Sequence, residues 1–223
     1  LDVNYNITPG LKASLTVNTD FAETEVDDRQ INLTRFPIRF PEKRDFFLEG
    51  ANIFRFAPSS GVYPYFSRKI GLRSGNPIPI LYGGRVIGKI GKVEVAAQQV
   101  KTIETDNFNS EDFSVIRLKQ NFLKESSIGV LYTRRHTDKG KEFVPQLQDR
   151  NTLGVDLTLN TSTFLKNQNL QFQAFAVIHN PESQGEINNI WDRSARGLRF
   201  NFPNDPWSGS LSYREFGVSY DPA

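Results

Sequence analysis

The residues best suited to chemistry are concentrated in one short segment, which reads FPEKRDFFLEG over residues 40–50. It places charged side chains beside the hydrophobic triplet Phe46–Leu48. If the chain forms a barrel wide enough to have a lumen, this segment would fold into it, pair its charged side chains with polar residues of the barrel wall and fill space with its phenylalanine rings. The segment is then predicted to form a constriction or partial plug. The alternative is a surface or periplasmic β-hairpin whose ion pairs contribute under ~1 kcal/mol each. The candidate ligand-binding or lumen residues are Glu42, Lys43, Arg44, Phe46, Phe47, Glu49 and, in a later loop, Trp191.

Covalent and metal chemistry find little support in the sequence. Cysteine is absent, which excludes disulfides, thiolate metal sites and a cysteine nucleophile. No GxSxG motif is present, so nothing favours a serine hydrolase triad. The two histidines, His136 and His179, have no third ligand at a defined spacing, and the acidic run within residues 20–28 lacks the glycine of a calcium loop. We therefore predict no enzymatic activity, no catalytic residues, no metal site and no cofactor.

Composition narrows the class of protein further. The 223 residues include 27 Lys and Arg against 25 Asp and Glu, and this near balance predicts no nucleic-acid partner. Hydrophobic residues make up 38% of the chain and aromatic residues 12%, which is too apolar for a disordered protein. No stretch approaches the ~18 apolar residues of a transmembrane helix. The chain contains no methionine, and we expect it to be a processed or excerpted piece.

Apolar residues recur at every second position along most of the chain, which is the period of a strand with one apolar face. Leu153, Val155, Leu157 and Leu159 show this alternation, and helical periodicity is nowhere sustained. The pattern predicts an all-β, antiparallel protein of about ten strands. The opposite face of these strands would hold the polar residues Lys12, Arg85, Arg117, Lys119, Asp156, Gln171, Gln173, Arg199 and Asn201.

The connections between the strands alternate in length. Outer-membrane barrels of up-and-down topology have short turns at the periplasmic end and long loops at the cell surface, whereas soluble β-sandwiches mix loop lengths. The sequence therefore predicts a transmembrane β-barrel, and a soluble β-sandwich stays the alternative. Expected short connections include 89–91, 123–126 and 203–207, long ones are 102–112, 137–151 and 180–195, and 161–168 is intermediate. Aromatic residues near the strand ends fit interfacial girdles, namely Tyr82, Phe113, Phe122, Tyr132, Phe164, Trp207, Tyr213 and Tyr220.

Four strings resemble the opening of a family of uncharacterised bacterial outer-membrane β-barrel domains: LTVNTDFAETEVDDRQINLTRF, FPEKRDFFLEG, YFSRKIG and PIPILYGGRVIGKIG. In that family the barrel usually follows an N-terminal domain similar to family 9 carbohydrate-binding modules. The resemblance implies a location in the bacterial outer membrane and a barrel that continues beyond this chain. It also implies a possible carbohydrate-binding domain in the full-length protein, but no catalytic residues. Asp45 stands where the family more often has proline.

We therefore expect a single β-barrel domain over residues 1–223, a partial segment of a larger barrel, with residues 26–73 as an atypical, plug-like insert. The expected partners are outer-membrane lipid and a glycan or other small solute. The expected function is passage or binding of a solute such as an oligosaccharide, without catalysis. One alternative is a glycan- or protein-recognition module anchored by the barrel, in which Trp191 could stack on a sugar ring. The other is a soluble β-sandwich binding module.

Overall fold

Ten antiparallel strands form one continuous sheet in a computed structural model, which describes residues 1–19, 41–73, 76–138, 149–180 and 189–221. Each of the ten pairs with the strands next to it in the order β1-β2-β5-β6-β7-β8-β9-β10-β11-β12. The prediction of an all-β, antiparallel, up-and-down fold is confirmed. The sheet is open rather than closed into a barrel, because β1 and β12 are its two edges.

The strands are β1 (Asp2–Thr8), β2 (Leu11–Thr19), β3 (Leu72–Arg73), β4 (Asn76–Pro77), β5 (Ile80–Ile90), β6 (Val93–Thr102), β7 (Glu111–Phe122), β8 (Ser126–Thr137), β9 (Arg150–Phe164), β10 (Gln168–His179), β11 (Ser194–Pro203) and β12 (Ser208–Phe216). The short strands β3 and β4 pair with each other. A one-turn helix α1 (Asp45–Leu48) and a 3-10 turn (Ser67–Lys69) complete the described elements. No helix in the described ranges is long and apolar enough to cross a membrane.

Short and long connections lie at opposite ends of the sheet, as the sequence predicts. The turn end holds residues 9–10, 91–92, 123–125, 165–167 and 204–207. The longer connections, from β2 to β5, β6 to β7, β8 to β9 and β10 to β11, leave the sheet and return to it at the opposite end, here called the loop end. The intermediate connection expected across residues 161–168 is in fact a tight turn, because β9 continues to Phe164. Leu165 and Lys166 adopt positive φ angles of 46° and 88° in this turn.

One face of the sheet, here called the outward face, is apolar from edge to edge. The registers place Ile116 opposite Ala97 and Tyr132, and Val155 opposite Val130 and Ala176. These side chains are open to the surroundings: Leu118 is 45% exposed, Val130 41% and Leu211 70%. We call this band the apolar belt, and it comprises Val3, Tyr5, Ile7, Leu11, Ala13, Leu15, Val17, Val86, Val93, Val95, Ala97, Ile116, Leu118, Ile128, Val130, Tyr132, Leu153, Val155, Leu157, Leu159, Leu170, Phe172, Ala174, Ala176, Ile178, Leu198, Phe200, Phe202, Leu211 and Tyr213.

The other face, here called the inward face, is polar and is partly covered by residues 41–71, the inner segment. All nine polar residues expected opposite the apolar side lie on this face. The buried apolar residues lie between the inner segment and the sheet, in one cluster around Phe54, Phe56 and Val115 and another around Phe47, Ile70 and Val100. The buried side of the sheet is thus also its polar side.

Two residues expected in an aromatic girdle lie elsewhere. Phe113 packs against the cluster around Phe47, and Tyr220 packs against the cluster around Phe54. Phe113 shares its face of β7 with Val115 and Arg117, so strand alternation turns its ring inward. Their prediction as girdle residues is therefore wrong. The residues 26–40 of the expected insert lie outside the described part of the chain, as does the acidic run from Asp20 to Asp28.

Candidate functional site

Glu42 and Arg44 fold the inner segment onto itself. The Glu42 carboxylate accepts hydrogen bonds from Arg44 Nε and Nη2, each at 2.7 Å, and from Ser67 Oγ at 2.6 Å. Arg44 also donates to the carbonyls of Ile70 at 2.6 Å and Ser67 at 2.7 Å. Burial raises the pKa of Glu42, but the hydrogen bonds from Arg44 and Ser67 outweigh it and hold that pKa below its usual value. This clip of Glu42, Arg44 and Ser67 joins the two ends of the inner segment.

Phe46 and Phe47 occupy space against the inward face. Phe47 is 3% exposed and packs with Ile70, while the Arg44 guanidinium lies 4.1 Å from its ring centre. The two rings meet edge to face at 5.1 Å. Phe46 lies over Gly83 of β5, where a Cβ atom would come within 3.1 Å of the ring. The glycine thus makes room for the ring, which is the space-filling role expected of both phenylalanines.

Glu49 connects the inner segment to two basic residues of the sheet. Its carboxylate accepts hydrogen bonds from Lys12 Nζ at 2.7 Å and from Arg85 Nη2 at 2.6 Å. Arg85 Nη1 also donates to the backbone carbonyls of Phe46 and Glu49. The Lys12 hydrogen bond and the charges of Arg85 and Lys12 lower the pKa of Glu49. We call this contact with β2 and β5 the Glu49 anchor.

A second contact, which the sequence did not reveal, fixes the middle of the inner segment to β9. Asp156 receives a bidentate hydrogen bond from Arg117, at 2.5 and 2.9 Å, and another from the backbone N–H of Ala57 at 3.3 Å. The side chains of Arg117 and Asp156 are 1% and 8% exposed. Phe56 lies between the Arg117 guanidinium, at 5.8 Å, and Gly154. We call this contact the Asp156 anchor.

Further contacts extend along the inward face. Gln98 of β6 donates to the Tyr65 hydroxyl at 2.9 Å, and Arg214 of β12 donates to the Ser60 carbonyl at 2.8 Å. Burial raises the pKa of Tyr65, so its hydroxyl stays protonated and polar but uncharged. The inner segment therefore touches strands from β2 to β12, which fixes its position over the sheet.

Six of the seven candidate residues lie in the inner segment, and Trp191 does not join them. Trp191 is 55% exposed at the loop end, with the Arg196 guanidinium 4.2 Å from its ring centre. Arg196 is on the outward face, where it pairs with Glu215. Trp191 therefore lies above the apolar belt, apart from the inner segment. Lys43 is half-buried, and its backbone N–H donates to Glu42 at 3.1 Å.

Sequence reasoning named the first part of the inner segment but not Phe54, Phe56 or Tyr65, which supply much of its contact with the sheet. In the sequence, these residues are marked only by the high density of aromatic residues after residue 50. Without a regular spacing of two or about 3.6 residues, that density does not show which side of the sheet the rings contact. The matching signal in the sheet is glycine at inward positions. A Cβ atom at Gly154 would lie 2.7 Å from the Phe56 ring, and one at Gly129 would lie 2.6 Å from Arg117.

Metal binding has no geometric support within the described residues, which bring together no group of three or more His, Cys, Asp or Glu side chains able to hold an ion. His136 Nδ1 lies 2.6 Å from Asp149 Oδ2 at the loop end. His179 is 2% exposed, and its ring contacts the carbonyls of Asn180 and Ser219 and Arg150 Nη1. His136 therefore pairs with aspartate carboxylates at the loop end, and the ring of His179 is held by backbone carbonyls and Arg150.

One comparison with known proteins gives a match. No curated protein and no solved structure matches the chain. Residues 1–80 match a family described as a domain of unknown function (DUF5916). This region includes β1, β2 and the whole inner segment, and it ends at the first residue of β5. The part of the chain that supplies the inner segment is therefore similar to an uncharacterised protein family.

Proposed function

We propose that this chain forms part of a transmembrane β-barrel in the bacterial outer membrane, with the inner segment inside the lumen as a constriction. In this proposal the protein passes or binds a solute such as an oligosaccharide and catalyses no reaction. The observation that supports it most strongly is the polarity of the sheet. Its exposed face is the apolar belt, and its covered face is polar and charged.

This polarity is the reverse of what water selects. In water, an exposed apolar band across ten strands would promote association, since monomeric proteins rarely expose large contiguous apolar patches. Hydrocarbon instead favours apolar side chains outside and polar ones toward a lumen. The ionic contacts of Arg85, Arg117 and Asp156 lie on the covered side, where they are shielded from lipid. Lipid acyl chains are therefore the proposed occupant of the apolar belt.

The two ends of the sheet support the same orientation. The tight turns between strands of the ten-stranded sheet lie at one end, and the longer connections start and finish at the other, as in barrels with periplasmic turns and surface loops. In the chain, the inner segment lies between β2 and β5, and the register shows that β2 ends and β5 begins at the loop end. We infer that it enters the lumen from the cell-surface side.

Closure is the main requirement of the proposal. Unpaired strand edges are not tolerated in hydrocarbon, because their N–H and C=O groups would have no partners there. The edges β1 and β12 must therefore be paired in the membrane, either with each other or, as we propose, with further strands of a larger barrel. The proposal accordingly concerns the full-length protein, and its tests use that protein.

The first experiment is heat-modifiability of the full-length protein in the outer-membrane fraction. Closed barrels resist detergent, so we expect unboiled and boiled samples to migrate differently on a gel. A protein that stays in aqueous solution without detergent and shows no shift would overturn the membrane proposal and favour a soluble binding module.

The second experiment tests the constriction by single-channel conductance. Deletion of residues 42–49 removes Phe46, Phe47 and the Glu49 anchor, and we expect a larger conductance. Phe46→Ala leaves the backbone and the clip intact. It therefore still tests the constriction if the deletion variant does not insert into the membrane. Conductance unchanged in both variants, each with a normal heat shift, would show that the inner segment does not narrow the pathway.

The alternative of a recognition module is favoured by one observation, the exposure of Trp191 at the loop end. In that case the barrel only anchors the loops. Binding of glycans to an array that persists when the lumen is blocked, and is lost in Trp191→Ala, would support recognition over passage. We favour passage because Arg196 covers the Trp191 ring at 4.2 Å on the outward side.

A further inference from the structure

A cavity of about 290 Å³ lies between the second half of the inner segment and strands β6, β7 and β8. It is near the loop end, since Glu111 is the first residue of β7 and Arg135 is close to the end of β8. Its volume is close to the lower limit of small-molecule sites in proteins. Its apolar wall is formed by Tyr65, Phe66, Ile70, Leu72, Phe113 and Val115.

Two deeply buried polar side chains line this cavity, and each has an oxygen atom with no hydrogen-bond partner among the described residues. Glu111 is 5% exposed and Thr133 is 4% exposed. Glu111 Oε1 and Thr133 Oγ1 accept or donate no hydrogen bond within the described ranges, and the same holds for Arg135 Nε. A buried polar atom left in this state costs the protein stability, so such atoms usually mark a bound water, ion or ligand.

The charged groups around the cavity are mostly basic. Lys69, Arg73 and Arg135 line it against the single carboxylate of Glu111, and Arg134, which the register places on the outward face of β8, borders it as well. The Arg73 guanidinium lies 5.0 Å from the ring centre of Phe108, which holds it beside the cavity. A ligand therefore meets an excess of positive charge together with one strong acceptor and an aromatic wall.

We propose that this cavity binds a small organic anion that has a carboxylate and a hydroxyl group on an apolar body. The carboxylate would accept hydrogen bonds from Arg135, a type of contact stronger than one between neutral groups. The hydroxyl group would donate to Glu111 and exchange a hydrogen bond with Thr133. The apolar body would contact Phe66 and Phe113.

Other ligand classes match these groups less well. An inorganic anion leaves the aromatic wall unused and places no donor toward Glu111. A cation meets three basic side chains, and a purely apolar molecule leaves the buried oxygen atoms without partners. Water alone could satisfy the polar atoms but would lie against an apolar wall, and this outcome is included in the test.

This inference deepens the proposed function and rests on it for access, because the cavity would open into the lumen. Binding itself can be measured on the detergent-solubilised full-length protein. The two can therefore fail separately. Equal gel mobility of unboiled and boiled samples contradicts the barrel. A normal difference in mobility without saturable ligand binding contradicts the cavity proposal alone.

The experiment is isothermal titration calorimetry with 4-hydroxybenzoate as the probe. We expect binding about tenfold tighter than that of 4-hydroxybenzyl alcohol, which lacks the charge, because a hydrogen bond to a charged group is worth about one decade in affinity. Benzoate, which lacks the hydroxyl group, should also bind more weakly. Equal affinities for all three compounds, or no saturable binding at all, would overturn the proposal and leave water as the occupant.

Variants locate the binding to this cavity. Arg135→Gln should weaken 4-hydroxybenzoate binding about tenfold, and Thr133→Val should reduce the preference for 4-hydroxybenzoate over benzoate. Lys119→Gln is the matched control, because Lys119 is a basic inward residue at the turn end, paired with Glu94 at 3.3 Å. An equal loss in Lys119→Gln would indicate general attraction to a basic lumen and would contradict the site. Arg135→Lys, which keeps the charge but lacks Nε, replaces Arg135→Gln if that variant shows no heat shift.

Discussion

The two faces of the ten-stranded sheet are built from the same alternating sequence and differ in what covers them. On the inward face, the inner segment forms hydrogen bonds with buried charged residues such as Arg85 and Asp156. On the outward face, the apolar belt is exposed, with Tyr5 at 69% and Leu211 at 70%. A period of two therefore shows that two faces exist, but the partner of each face decides which one is buried.

The two anchors of the inner segment differ in a similar way. The basic partners are equally buried, with Arg85 2% and Arg117 1% exposed, but the carboxylates differ, because the Glu49 side chain is 43% exposed and the Asp156 side chain 8%. Exposed ion pairs contribute little, but removing one partner of a buried pair leaves an uncompensated charge. We therefore expect the middle of the inner segment to depend on its anchor far more than its beginning does.

The largest expected effect comes from Asp156→Ala. It leaves the Arg117 guanidinium buried without its carboxylate and should lower the free energy of unfolding by about 3–5 kcal/mol. Glu49→Ala, the matched variant at the other anchor, should cost less, about 1 kcal/mol, because water reaches the Glu49 carboxylate and the buried Arg85 keeps its hydrogen bonds to the carbonyls of Phe46 and residue 49. Urea unfolding of the full-length protein measures both. Equal losses in the two variants would contradict the difference between the anchors.

A double variant separates the charge from the packing at the Asp156 anchor. Arg117→Met with Asp156→Leu replaces both partners by apolar residues, which is often neutral or stabilising for a buried pair. We expect it to recover most of the stability lost in Asp156→Ala. A double variant as unstable as the single one would show that the hydrogen bond from Ala57 N–H, at 3.3 Å, matters more than the ion pair.

The second prediction tests the apolar belt with a charge. Val130 lies in the middle of the belt, paired with Leu118 and Val155. In the proposed barrel, Val130→Arg places a guanidinium at the membrane midplane and should cost about 2–4 kcal/mol. Gln171→Arg on the inward face should cost under ~1 kcal/mol, because the long side chain extends into a polar space. Unfolding in lipid vesicles measures the difference, and a similar small effect at both positions would contradict lipid contact.

The sheet could be predicted in detail because strand alternation is a local signal. The nine polar residues of the inward face, from Lys12 to Asn201, follow directly from the period of two. The alternation of short and long connections likewise predicts which connections share an end of the sheet. The inner segment has no such period. Its clip joins Glu42 to Ser67, and its Asp156 anchor joins residues 99 positions apart, so neither contact is written in a local pattern.

The same reasoning explains the errors. Phe113 was predicted as a girdle residue from its place near a strand end, but alternation within β7 turns it toward Phe47. Trp191, proposed from the sequence as a loop residue that could stack on a sugar ring, lies beside Arg196 on the outward side, and its role stays a prediction. Closeness to a strand end does not determine a face, whereas parity within the strand does.

The third prediction compares two glycines on opposite faces. A Cβ atom at inward Gly154 would lie 2.7 Å from the Phe56 ring, while one at outward Gly84 would meet nothing within 4 Å. Gly154→Ala must displace Phe56 and should cost about 1–3 kcal/mol. Gly84→Ala should be neutral or slightly stabilising, since it reduces the freedom of the unfolded chain. Thermal unfolding of both variants tests whether close packing is confined to the inward face. Equal changes in the melting temperature would indicate that the outward face is packed as closely.

The smallest expected effect is the pH dependence of the clip on the inward side, whereas the apolar belt itself has no carboxyl group to titrate. The hydrogen bonds from Arg44 and Ser67 outweigh burial and lower the pKa of Glu42 in the folded protein. A carboxyl group whose pKa is lower when folded stabilises the protein above its unfolded pKa, and this contribution is lost as the pH falls through the folded value. The clip should therefore hold at neutral pH and weaken below about pH 4, near the ordinary glutamate pKa.

Glu49 has a lowered pKa as well, so it would titrate in the same acidic range. The comparison is therefore made in a Glu49→Gln background, with and without Glu42→Gln. Limited proteolysis of the inner segment from pH 7 down to pH 3 measures the opening of the clip. We expect protection by Glu42 at pH 7 that becomes smaller as the pH falls toward 3, because protonation of Glu42 removes its ion pair with the Arg44 guanidinium. A difference in cleavage that stays constant over this range would mean that Glu42 acts by filling space, and the clip would then be a packing contact like that of Phe47.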